Sequence, residues 1–570
     1  MMETQPTKRH RSTVRGKFLF RLIVSTFIAL SALIFAPQVF ASDPSGIQTG
    51  RGVDAQTAQG AGIILTKPEN TSAPSYTEQL RAYEAFQSQA TNEPIAVQLA
   101  EAIGQNRVAI NLSWVLICGF LVMIMQAGFA LVETGLTRAK NSSHTMFMNL
   151  FIYPLGILGF WLTGFALMYG AMPVASLGGT PGLDASKEFI VTLFGKPFGL
   201  FATHGWFLKG SSYDVGTYAV FLFQTVFMDT TATIPTGSMA ERWNLKTFCI
   251  YGIFISALLY PIFGNWVWGG GWLAQLGVNF GLGHGFVDFA GSGVVHAVGG
   301  MCALAGAIVL GPRIGKYTAD GNINGIPGHN IPMALLGALI LCFGWFGFNA
   351  GSTLGVSGGG LTRVGIIAVA TMMASAGGAV SAAIYMAYRS GRPDPTMVAN
   401  GMLAGLVGIT GCSGFVDATA GVVIGAVSGV LVCISVEVIE RLSIDDPVGA
   451  ISVHGVCGLW GVLAAGIFPD GTAVYNGSWN GVAGSVKGML YGGGSQMVAQ
   501  LVACIAIVAW GFGISFVFFK ALNSVIPLRV PPEVEIEGLD TRETGVTAYP
   551  DFATFQESNF TPLSNTSSNI

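Results

Sequence analysis

Eleven stretches of this chain are each apolar over about twenty residues or more, at roughly 109–132, 147–170, 215–238, 248–268, 288–311, 331–352, 363–388, 396–414, 417–438, 449–468 and 496–521. A bilayer core about 30 Å thick is crossed by about 20 helical residues. Lipid leaves no water to satisfy a broken backbone ladder, so runs of this kind read as helices. The expected fold is an all-α polytopic membrane protein with eleven transmembrane helices. Charge agrees, since 570 residues hold only 27 basic and 30 acidic side chains, whereas soluble domains are about a quarter charged. That scarcity excludes a soluble enzyme and a secreted disulfide scaffold. With a net charge of −3 there is no basic footprint for nucleic acid either. The eight cysteines lie in or beside apolar stretches and form no C-x-x-C pair. They read as small buried hydrophobes, so neither a metal nor a redox cofactor is expected from them.

The two ends differ from the middle. Lys8, Arg9, Arg11, Arg15 and Lys17 precede an apolar run from Leu22 to Ala36, and Val39-Phe40-Ala41 fits a cleavage site, so 1–41 reads as a signal peptide. An uncleaved first helix is the alternative. Residues 42–105 are polar, rich in Gln, Ala, Thr and Ser, and are expected to form a poorly structured or partly helical external arm. The membrane domain then runs over 106–525 and a tail over 526–570. Alternate short loops hold Arg138 and Lys140, Arg242 and Lys246, Arg313 and Lys316, Arg389 and Arg392, and Arg441, while the opposite short loops are nearly bare. The positive-inside rule makes the first set cytoplasmic. A multi-pass protein of the cell (inner or plasma) membrane is expected, N-terminus outside and C-terminus in the cytoplasm.

A repeat is visible inside the membrane domain. Asp288 precedes His296 by eight residues, and Asp446 precedes His454 by eight; Val295-His296-x-Val298-x-Gly300 matches Val453-His454-x-Val456-x-Gly458. Five helices separate the copies, an odd number, so they enter the membrane from opposite sides. This is the trace of an inverted five-helix repeat, with an extra C-terminal helix and a site expected near the midplane.

His296 and His454 are the two histidines deep inside spans, where ionisable groups are costly and mark pathways or polar contacts. Three readings stand: a lined pore, two imidazoles bonded across helices, or axial ligands of a haem. Asp288 at the start of its span fits a helix cap, with direct cation binding the sharper alternative. Phe223, Phe227, Trp266, Trp268, Trp345, Phe346 and Phe348 cluster near span ends. Interfacial belts use such residues, and so do cation–π sites.

Several runs together resemble the ammonium transporter (Amt/Mep) family. They are ETGLTRAKN at 133–141, VWGGGWL at 267–273, DFAGSGVVHAVGGMCALAGAIVLGPR at 288–313, GWFGFNAGS at 344–352, DDPVGAISVHGVCG at 445–458 and LRVPPEVEIEGLD at 528–540. The resemblance covers about 108–550; the 42–105 arm matches nothing in it. It implies a transporter of ammonium or ammonia for nitrogen uptake, not an enzyme, built as a homotrimer in the lipid bilayer with one pore per subunit. Trp268, Phe227 and Ser352, with Phe223 beside them, match an outer ammonium-recruitment site, and Trp268 favours the Amt branch over the Rhesus glycoproteins. Phe227 and Phe348 match the stacked gate, His296 and His454 the paired pore-lining histidines, and Asp288 an aspartate shaping the recruitment site from beneath. The tail, with Arg529, Glu533, Glu535, Glu537, Asp540, Arg542 and Glu543, matches a segment that packs under the bundle, where a PII-type regulator can dock. The rival is a membrane ammonium sensor signalling through that tail, although no recognisable output domain follows residue 521.

Magnitudes favour deprotonation over passage of an intact ion. A charge at the bilayer centre costs about 2.5–3.5 kcal/mol or more, and one cation–π contact returns at most about 2 kcal/mol. Potassium cannot shed its charge, whereas ammonium can lose a proton. The expected sequence is recruitment of the ion, deprotonation near the aromatic gate, and passage of ammonia along the histidines. A proton relayed separately would make the transport electrogenic.

Overall fold

The computed structural model describes residues 76–552, apart from 181 and 476. Residues 1–41, where a signal peptide is expected, the first part of the arm and residues 553–570 lie outside the described residues. The described chain is mostly helical. Helix α1 (Tyr76–Asn92) precedes α2 (Pro94–Leu136) and α3 (Ala139–Tyr169). Then come α4 (Val215–Ser238), α5 (Leu245–Val267), α6 (Ser292–Leu310), α7 (Ile331–Gly351), α8 (Leu361–Ser390), α9 (Pro395–Thr410), α10 (Ala418–Arg441), α11 (Ile451–Ile467) and α12 (Gly494–Val525). The later half of the arm is thus helical, and α2 begins well ahead of the boundary expected at 106.

Eight of these helices (α2, α3, α5, α6, α7, α8, α10 and α12) are long and apolar enough to cross a membrane. The sequence predicted eleven spans, and the other three fall on α4, α9 and α11. Helix α4 carries Gln224, Asp229 and several threonines that are nearly all buried, which lowers its hydropathy without exposing it. Helices α9 and α11 are apolar but shorter.

The repeat has a structural counterpart. Asp288 accepts the amides of Gly291, Gly293 and Val294 at 2.8–2.9 Å, and Asp446 accepts those of Gly449 and Ile451 at 3.1 and 2.7 Å. Each carboxylate therefore caps the helix that bears the histidine eight residues later, satisfying orphan donors of the first turn. Gly291 and Gly449, each five residues before its histidine, have φ of +112° and +79°, a conformation glycine adopts without steric cost. Both helices then open with a π-helical turn, Ser292–Ala297 and Ile451–Val456, a widened geometry frequent at functional sites. The two helices cross at small residues. A Cβ on Gly300 would lie 2.1 Å from the Gly455 amide nitrogen, and such contacts let membrane helices approach closely.

Between α3 and α4 an antiparallel hairpin, β1 (Glu188–Leu193) with β2 (Lys196–Ala202), lies over the end of α5. The Trp272 amide donates to the Gly199 carbonyl at 3.0 Å and Trp266 Nε1 to that of Leu200 at 3.0 Å. At the opposite end the segment after α12 returns beneath the bundle. The Asn244 amide donates to the Leu528 carbonyl and the Val530 amide to that of Arg242, at 2.9 and 3.1 Å.

Candidate functional site

Trp268 ends α5, and its Nε1 donates to the Asp288 carbonyl at 2.7 Å. Asp288 thus does two jobs: its carboxylate caps α6 while its carbonyl fixes the indole. A cavity of about 710 Å³ opens above, and Phe223, Phe227, Trp268 and Ser352 all line it. The four residues come from α4, the end of α5 and the end of α7. Ser352 Oγ donates to the Phe348 carbonyl at 2.7 Å, which leaves the hydroxyl oxygen free to accept.

Below the cavity the rings stack in sequence. Phe227 and Phe348 have centroids 4.0 Å apart with planes 24° from parallel, and Phe223 and Trp268 meet Phe227 at 4.7 and 6.0 Å. The His296 ring lies 5.4 Å below Phe348 and 5.2 Å from the His454 ring. Their Nδ1 atoms are 3.2 Å apart, so one nitrogen must donate and the other accept. His296 is fully buried and its Nε2 has no protein partner. A buried polar atom without a partner is costly, and this one belongs to a ring in the column. Past His454, whose ring lies 5.8 Å from Phe129, a second cavity of about 20 Å³ is lined by Phe129, Glu133, Asn400 and His454.

Sequence reasoning missed two parts of this arrangement. Trp345 was grouped with aromatics that serve either as interfacial anchors or as cation–π sites, and it is fully buried. It stacks 5.0 Å from His296 and donates from Nε1 to Thr410 Oγ1 at 2.8 Å, a contact that orients the histidine from the side. Glu133 lay inside a quoted motif without a role, although an acid directly at the end of an apolar run was the available signal. Among the described residues no group of His, Cys, Asp and Glu is arranged to hold a metal ion.

Three of the basic loop residues, Arg138, Arg242 and Arg313, form a fastened plate with buried acids. Arg313 binds Asp445 through Nε and Nη2 at 2.8 and 2.9 Å and Glu241 through Nη1 at 2.8 Å. Arg138 also pairs with Glu241, and Arg242 Nη2 donates to the Asp445 carbonyl at 2.7 Å. Burial pushes the Asp445 carboxyl up, but the guanidinium groups of Arg313 and Arg242 outweigh it and hold the carboxyl well below the usual carboxylate range. The tail docks on this plate. Lys140 Nζ donates to the Glu535 carbonyl at 2.7 Å, the Ile314 amide to Glu535 Oε1 at 2.7 Å, and the His144 amide to Asp540 Oδ1 at 2.9 Å.

The Ammonium Transporter Family profile matches residues 113–549. Ammonium transporter Amt2 of Archaeoglobus fulgidus is 45% identical over 456 residues, covering 80% of this chain and 91% of that protein. Ammonium transporter Amt1 of Haloferax mediterranei is 35% identical over 455 residues, covering 78% and 80%. Among solved structures, one named Sensor Amt Protein aligns with a TM-score of 0.64 at 36% identity, over 77% of this chain and 99% of that one. Candida albicans Mep2 aligns with a TM-score of 0.64 at 25% identity, over 79% and 93%. The chain belongs to the ammonium transporter family, whose members are membrane transporters and not enzymes.

Proposed function

We propose that the protein takes ammonium from the outer face, strips its proton at the aromatic gate and conducts ammonia past the histidines. The observation that carries this reading is the continuous column from Trp268 through Phe227, Phe348 and His296 to His454, with ring contacts of 4.0–6.0 Å. Trp268, Phe227 and Phe223 offer ring faces to a small cation, and the Ser352 oxygen can accept an N–H. The stacked phenylalanines leave no room for a hydration shell. A bare cation in hydrocarbon costs more than one ring returns, so the neutral form passes. Beyond the gate, the unpartnered His296 Nε2 and the shared Nδ1 contact supply donors and acceptors to ammonia or to a relayed proton. Helices α2 to α12 are read as eleven spans, with the tail on the cytoplasmic side and three copies forming a trimer.

A second reading is favoured by one observation: a structural relative is named as a sensor, and here the tail locks onto the plate beneath the column. Uptake of labelled methylammonium into cells deficient in ammonium transport separates the two. Accumulation above the empty-vector background supports transport, and none, with the protein present in the membrane, favours sensing. Deleting 528–570 should lower uptake severalfold without preventing insertion; full uptake would show that docking of the tail, or a PII-type protein on that face, is not required.

A further inference from the structure

Glu133 is a buried acid with no opposite charge. It sits on α2 one turn past Phe129 and is 2% exposed. Asn149 Nδ2 donates to its Oε2 at 2.6 Å, and Thr236 Oγ1 lies 3.0 and 2.8 Å from Oε1 and Oε2. Among the described residues no Lys, Arg or His pairs with it. Two neutral donors occupy part of a carboxylate's capacity of about four lone-pair sites. A buried ionisable group without an opposite charge is expensive, and Glu133 lines the cavity of about 20 Å³ together with His454 and Asn400. That is room for about one water-sized species, and ammonium is of that size.

We infer that Glu133 and His454 form a second ammonium subsite, at the tail end of the column, in which the carboxylate balances the cation's charge. The subsite rests on the transport reading for its place in the pathway, but not for its chemistry, since any ammonium-sized monovalent cation should occupy it. The two ends then differ in kind. Rings and a hydroxyl bind the ion weakly enough for it to pass a proton to the histidine pair on entry, and on exit ammonia takes back a proton delivered along that pair, the Glu133 carboxylate stabilising the ion so formed. No bond is made or broken at Glu133.

The test uses the full-length protein and two probes. Crystals soaked in rubidium chloride should show an anomalous peak beside Glu133 in the wild type and none in Glu133→Gln, which keeps an oxygen for both donors but no charge. In proteoliposomes, an ammonium jump should evoke a current that Glu133→Gln lowers about tenfold or more, with Glu133→Asp retaining part of it. No rubidium peak in the wild type, a peak that persists in Glu133→Gln, or a Gln-variant current within about twofold of wild type would each overturn the subsite. If Glu133→Gln does not fold, Glu133→Asp decides: it should keep the rubidium peak, and its absence counts against the proposal. A wild type that binds rubidium at Glu133 yet carries no ammonium leaves the subsite standing and sinks the transport reading instead.

Discussion

The two ends of the column are built from one repeated element and finished with opposite chemistry. At both, an aspartate caps a helix whose π-turn carries a buried histidine. At the Trp268 end the capping residue also holds an indole, and the surroundings are rings around a wide cavity. At the tail end Asp446 has Asp445 as its neighbour, and Asp445 belongs to an array of buried ion pairs over a cavity about one water wide. The repeat supplies a scaffold, and what is attached to each copy decides whether that end offers aromatic rings or charged side chains. Buried charge pairs are poor recognition devices for a small cation, because their charges already satisfy one another.

The largest effect should come from the element the ends share. His296→Leu keeps bulk and removes both ring nitrogens. If the pair is only structural, the variant should lose about 1 kcal/mol for a membrane hydrogen bond and still take up methylammonium in proportion to folded protein. On the proposed mechanism, uptake falls to background while the folded protein remains. His454→Leu should match it, and the double variant should be little worse than either single, because one gap already breaks a single-file path. Additive partial losses would argue against a relay.

Breaking the tail end should cost stability first. Arg313→Met leaves Asp445 and Glu241 buried without their shared cation, at a cost of about 3–5 kcal/mol, read as a fall in the denaturation midpoint of purified protein. An unchanged midpoint would show that Arg138 and Arg242 suffice. Breaking the Trp268 end should cost affinity instead. Trp268→Leu removes a cation–π contact worth at most about 2 kcal/mol, so the half-saturating ammonium concentration should rise by up to about thirtyfold with folding intact. If the concentration dependence does not move, the tryptophan is an anchor and the two ends differ less than proposed.

How much of this was legible depended on contrast and distance along the chain. The aspartate–histidine copies stood out because polar residues are rare in apolar runs, and the repeat spacing needed no structure. The fastened plate did not stand out: Arg138, Arg242 and Arg313 read as loop charges, and their acids Glu241 and Asp445 come from distant loops. Phe227 and Phe348 stack across 121 residues of chain, a contact that no local period encodes; only the resemblance paired them. Trp345 stayed undecided because an aromatic near a span end reads the same whether it faces lipid or a histidine.

The smallest effect separates the ends by pH. Glu188 on β1 pins the hairpin over the Trp268 end by accepting Asn265 Nδ2 at 3.1 Å. Burial pushes its carboxyl from an ordinary 4.5 up to about 7, and the Asn265 bond opposes this only in part. When the hairpin opens, Glu188 regains its ordinary value. Between about 4.5 and 7 the opened form therefore holds fewer protons than the closed one, so closure weakens as pH rises through that window and levels off above it. Asp445 has the opposite sign, being held below its ordinary value; its contribution is fully present above that value and is lost only in stronger acid. Amide exchange over 188–202, corrected for intrinsic rates, should thus show protection falling from pH 5 to 7 while the amides of 311–316 stay level. Glu188→Gln should flatten the first profile and leave the second alone. A wild-type hairpin whose protection does not change over that range would mean that Glu188 titrates as an ordinary surface acid, and that the Trp268 end is not held by a neutral carboxyl.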